Sequence, residues 1–230
     1  MKQFIVNLIK LILSISILIF TEDYFYKFLD LINININNNS FVSLIIYILI
    51  FICICIIYKD EITSAYSKYQ HKLANNIFYS ILTFIILFIG MMIINYLVIA
   101  LSKGFNITYE GLNFINIFNY KFNFNLIVTI IKDILIIPFI KVIIFVLGIN
   151  NMVGRKTGNF ISGLLYSIYK IYLICHFNSS IGYILINAIP YFCLFSMLSY
   201  IYKKNNNIMH SIICYILYEL FASTLIIKFL

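Results

Sequence analysis

Apolar positions run through this chain in long blocks and do not alternate with polar ones. The blocks fall at about 1–20, 41–58, 77–101, 126–149, 159–175, 181–202 and 208–229. Runs of about 20 apolar residues suit helices crossing a hydrocarbon core of about 30 Å, and no strand alternation of the outer-membrane barrel type recurs. The pattern predicts an all-α fold, a polytopic membrane helix bundle of about seven transmembrane helices. It forms a single integral membrane domain over 1–230, with three N-terminal spans and their loops in 1–125 and a four-span core in 126–230.

The polar separators refine this picture. Lys2 and Lys10 precede the first apolar block as in a signal peptide, but Thr21-Glu22-Asp23-Tyr24 provides no small-residue cleavage site, so the block is expected to stay as a span. An acidic, then Asn-rich loop follows at 21–40, and 59–76 is a polar, amphipathic connector with Lys59, Lys68, His71 and Lys72. The stretch 102–125 mixes aromatics with Asn and Gly, as expected of an interfacial loop with Phe and Tyr at headgroup depth. Residues 134–148 form the central stretch, an apolar helix with Pro138 and Lys141 in its middle. A lysine there costs a few kcal/mol on insertion scales, so it should face the protein interior and find a partner.

Composition supports the membrane reading. Of 230 residues, 63% are hydrophobic and 10% charged, with mean hydropathy +1.01, where ordinary globular chains carry roughly 25% charged residues. The net charge of +8 comes from 16 basic residues spread over loops, not clustered in a patch, which argues against nucleic-acid binding. Abundant Ile, Asn, Lys, Tyr and Phe match the usage of an AT-rich bacterial genome. Cytoplasmic loops carry the excess of Lys and Arg. With the N-terminus inside, the cytoplasmic segments collect Lys2, Lys10, Lys59, Lys68, Lys72, Arg155, Lys156, Lys203 and Lys204, against Lys27, Lys103 and Lys121 outside. The expected location is the cell membrane, multi-pass, with the lipid bilayer as the first partner.

Candidate chemistry is sparse. Cys53 and Cys55 point to different faces of one helix, Cys175, Cys193 and Cys214 are isolated, and none has zinc-ligand spacing, so buried apolar filler is the expectation. His71, His176 and His210 fall in loops or at span ends, where a solvated histidine is the default. No metal or other cofactor is implied. The specific signal is three intramembrane charges, Lys141, Lys170 and Glu219. From a rise of about 1.5 Å per residue, Glu219 lies near mid-membrane, Lys141 about 6 Å to the cytoplasmic side and Lys170 about 5 Å to the outer side. A carboxylate between two ammonium groups neutralises each charge, either as a substrate or proton site or as an ion cluster that fixes helix register.

The last hundred residues resemble the CPBP family, the CAAX-protease and bacteriocin-processing membrane peptidases also called the Abi family. There a helix carries a proline, then a Glu-Glu pair and Phe-Arg-Gly; the next carries Phe-x-x-x-His and a later one His-x-x-x-Asn. This chain has Pro138, then Lys141-Val142 at the glutamate pair and Phe145 at the phenylalanine, with Val146 at the arginine and Leu147 or Gly148 at the glycine. Tyr166-x-x-x-Lys170 stands at Phe-x-x-x-His, and Tyr215 and Glu219 stand at the His and Asn of the last motif. The resemblance implies a CPBP-like core in the C-terminal four spans, with Lys141, Lys170 and Glu219 converging where the family has its active site.

The family mechanism activates water with a glutamate and histidines. A general base must accept that proton, and a metal needs carboxylate or imidazole ligands. Lys141, Val142, Lys170 and Tyr215 supply neither. Glu219 is a poor base if ion-paired with lysine, and no other residue is arranged as an activated nucleophile. The resemblance therefore implies no catalytic residues. It points to a non-catalytic relative, a pseudoenzyme binding a hydrophobic peptide or a membrane-protein partner in the manner of bacteriocin-immunity proteins. Two other readings stand beside it: the permease subunit of a peptide or antibiotic exporter, and a residual CPBP-type intramembrane endopeptidase using Glu219.

Overall fold

The computed structural model describes residues 2–21, 40–107, 109, 124–153, 157–174 and 180–225. Residues 22–39 and most of the loop expected at 102–125 lie outside the described residues, as do Arg155, Lys156, Cys175, His176 and Lys228. Among the described residues the chain is all-helical, with no strand.

We number the helices α1 (Lys2–Ile19), α2 (Ser40–Ile57), α3 (Lys59–Gln70), α4 (Leu73–Gly104), α5 (124–153), α6 (Gly158–Ile174), α7 (Ile181–Asn205) and α8 (Ile208–Leu225). α4 and α7 are long and apolar enough to cross a membrane, and α2 with α3 makes a third candidate if that bent pair is one span. Large apolar side chains on the outer face of α4, such as Phe78 (64% exposed) and Tyr96 (74%), point away from the protein. Exposed apolar surface on this scale fits a lipid environment and not water.

α5 is the axis of the bundle. It packs against α1 and α2 on one side and α6, α7 and α8 on the other, and every residue from 140 to 150 is buried. A helix that is apolar all round must be surrounded by protein in this way. Its ladder is interrupted by wide π-helical turns at Ile130–Ile136 and Ile143–Gly148, while the backbone at each junction stays right-handed helical. The first wide turn abuts Pro138, which has no N–H to donate and whose ring crowds the carbonyl four residues back.

Local signals fix the helix ends. Ser180 caps α7 by accepting from the Tyr183 N–H at 3.3 Å. α7 stops at Asn206, in the left-handed region with φ 50°, and Asn207 Oδ1 accepts from the Met209 N–H at 2.9 Å to start α8. α3 turns 87° from α2, so the polar connector expected at 59–76 is a helix lying across one end of the bundle.

Side-chain bonds gather at that end. Lys10 pairs with Glu61 at 2.8 Å, Asn7 donates to the Asn151 carbonyl at 2.8 Å, and Asn207 donates to the Ala65 carbonyl at 3.0 Å. These bonds link α1, α3, the end of α5 and the turn between α7 and α8. At the other end Ile107 lies against Gly182, joining the start of the 102–125 loop to the start of α7.

Candidate functional site

Lys141 sits on the enclosed part of α5 and is 7% exposed, facing the interior as the cost of a buried ammonium requires. α8 packs against this segment and brings Glu219, whose carboxylate interacts with the Tyr215 hydroxyl one turn earlier and lies in the electrostatic field of Lys141, Lys170 and Asp133. No contact ion pair closes on Glu219 among the described residues; Lys141 and Lys170 attract its carboxylate through space and Asp133 repels it. Lys170 lies 5.7 Å from the centre of the Tyr191 ring, a cation–π distance.

Asp133 belongs to this group although the sequence reading did not single it out. It pairs with Lys132 at 3.4 Å, and Lys132 in turn reaches Ser43 Oγ at 3.2 Å, tying α5 to α2. The available signal was an acid adjacent to a base inside an apolar block, eight residues before Lys141. Asn95 was also missed as a partner: it accepts from the Tyr109 hydroxyl at 3.0 Å and interacts with Tyr218, placing an amide beside the same face of α8.

The remaining motif positions fill the space between the helices. Tyr166 stacks on Phe195 with ring centres 3.5 Å apart, Phe145 meets Tyr166 edge-on at 5.1 Å, and Tyr215 meets Phe195 edge-on at 5.4 Å. The Tyr166 and Tyr215 hydroxyls are 3.5 Å apart. Val142, Phe145, Tyr166 and Tyr215 are all buried, and so is Phe195, which no motif position foretold. This is an aromatic core with one phenol pair.

A second buried cluster corrects the histidine reading. His210 is not solvated: it is 4% exposed, because α3 folds back over the first turn of α8 and covers it. Its Nδ1 lies 2.9 Å from Ser80 Oγ, which is 3.0 Å from the Tyr69 hydroxyl and donates to the Asn76 carbonyl at 2.9 Å. Ser80 has a single hydrogen for three partners, and of these the Asn76 carbonyl can only accept. A serine held this way is a brace between α3, α4 and α8. Cys214 is buried beside it, 3.1 Å from Thr83 Oγ1, whereas Cys53 is exposed on α2 and is not buried filler.

Among the described residues no group of three or more His, Cys, Asp or Glu side chains is placed to share a metal ion. Neither a protein-family model, nor a curated protein, nor a solved structure matches the chain.

Proposed function

We propose that the chain is a seven-span membrane protein with a CPBP-like arrangement of its last four helices, that it has no peptidase chemistry, and that it binds a hydrophobic peptide or a partner helix within the membrane, as a bacteriocin-immunity protein would. One observation carries this reading. The positions that correspond to the peptidase motifs hold Val142, Phe145, Tyr166 and Tyr215 in a packed aromatic core, and Glu219 is the one acid among them. General-base catalysis needs a group free to take a proton from water, and Val142, Phe145, Tyr166 and Tyr215 do not supply one, which leaves Glu219 as the side chain to test.

The test is cleavage. Purified protein should leave prenyl-peptide and leader-peptide substrates intact while retaining a hydrophobic peptide on co-purification. Cleavage that disappears in Glu219→Gln would instead establish the residual peptidase.

The same proposal puts the N-terminus and α3 on the cytoplasmic side, from the lysine distribution and the bonds that gather those segments at one end. Thiol labelling from outside the cell should modify Lys103→Cys and spare Asn206→Cys; the reverse pattern would invert the topology.

A further inference from the structure

The end of the bundle crossed by α3 carries more positive charge than its own acids balance. Lys59, Lys68 and Lys72 are exposed, and the Asn207–Ala65 bond brings the turn after Lys203 and Lys204 against α3. Of the two acids on α3, Glu61 is taken up by Lys10 at 2.8 Å. Asp60 is in the first turn, about 12 Å along the helix from Lys68 at about 1.5 Å per residue. Lys68, near the end of α3, and Lys72, in the turn into α4, are both exposed, and no carboxylate of α3 lies beside Lys68. The elements that meet α3 are α2, α4 and α8, with α1 reaching it through Lys10, and none of α1, α2 and α4 contains an acid; the one acid on α8, Glu219, is about 16 Å from its start by the same rise.

Directly beyond Lys72 the surface changes from charged to apolar. Leu73 is 51% exposed, Ile77 43%, Phe78 64% and Ile81 45%, and their spacing of three and four residues lines them up as one stripe on α4. Two ammonium groups at the head of an exposed apolar stripe match an amphiphile with an anionic head. A water-soluble acidic partner would leave that stripe uncovered.

We propose that the corner between α3 and α4 is a binding site for an anionic phospholipid, with Lys68 and Lys72 taking the phosphate and an acyl chain lying along Leu73, Ile77, Phe78 and Ile81. The site depends on membrane residence but not on the peptidase-like frame, so the cleavage assay has no bearing on it.

The experiment uses the full chain in mixed micelles containing equal amounts of phosphatidylglycerol and phosphatidylcholine, with bound lipid read by native mass spectrometry. Wild-type protein should retain phosphatidylglycerol in preference. Lys68→Gln combined with Lys72→Gln should lower that preference by about fivefold for each lysine removed. Both side chains are exposed, so the melting temperature of the double variant should not change. Lys103→Gln, at the opposite end, should leave the preference intact. Equal retention of the two lipids by the wild type would overturn the proposal, as would a preference that survives in the double variant or falls equally in Lys103→Gln. Inorganic phosphate that displaces the lipid at equal concentration would also overturn it, because the site would then recognise a bare anion without the chain.

Discussion

Two faces of α8 are held by different physics. On one, His210 meets Ser80 at 2.9 Å and Cys214 meets Thr83 at 3.1 Å, while Tyr69 reaches the same serine at 3.0 Å, so each group is satisfied by touching its partner. On the other, Tyr215 and Glu219 face α5, where Lys141 and Asp133 act on the carboxylate through their fields and not through a contact pair. Hydrogen bonds fall away steeply with distance and angle. Charges in a low-dielectric interior still interact over longer separations. The neutral face should therefore be strict about geometry, and the charged face strict about balance.

The largest expected effect comes from upsetting that balance. Glu219→Leu leaves Lys141 buried with less opposing charge, and removing one member of a buried charged group typically costs about 3–5 kcal/mol. Because the lysines are not in contact with Glu219, the lower end, about 3 kcal/mol, is expected from thermal unfolding in detergent. Lys141→Met with Lys170→Met should restore much of the loss in the same molecule, a non-additivity expected only of residues that act as a group. Three harmless single substitutions would mean that the charges do not sense one another.

A smaller effect is expected on the neutral face. Ser80→Ala removes a hydrogen-bond partner of both His210 and Tyr69, and leaving buried polar groups unsatisfied costs about 1–3 kcal/mol. Replacing His210 with phenylalanine in the same molecule should recover part of this, since one of the stranded groups is then gone. If Ser80→Ala unfolds at the wild-type temperature, the brace between α3, α4 and α8 contributes nothing, and the contrast between the two faces fails.

These faces also differ in how far they were legible from sequence. Several helix positions were readable because an apolar block of the right length has few alternatives: α7 over Ile181–Asn205 and α6 over Gly158–Ile174 lie within three residues of the blocks expected at 181–202 and 159–175, whereas the polar helix α3 came from no apolar block. Lys141, Lys170 and Glu219 stood out because a charge in an apolar block is expensive wherever it lies. The brace could not be read in that way. Ser80, Tyr69 and His210 are ordinary residues in three separate segments, and only the packing of α3, α4 and α8 brings them together. The wide turns of α5 were half legible: Pro138 announces a disturbance, but not whether the helix kinks, stops or widens.

The smallest expected effect separates contact from charge. Lys10 and Glu61 are charged like the group around Glu219, yet they touch at 2.8 Å, with side chains 27% and 24% exposed. Lys10 also lies 5.6 Å from the Tyr58 ring centre, so truncating it removes packing as well as charge. A double-mutant cycle with Lys10→Met and Glu61→Gln cancels that packing loss and isolates the pair. Ion pairs in partly solvated positions are worth up to about 1 kcal/mol and are screened by salt. A coupling energy below about 1 kcal/mol that shrinks as salt is added would mean that charge contributes little where water reaches it, even at contact distance. A coupling above about 2 kcal/mol, unchanged by salt, would mean that contact makes the pair strong, and the through-space balance assigned to Glu219 would then need a direct partner.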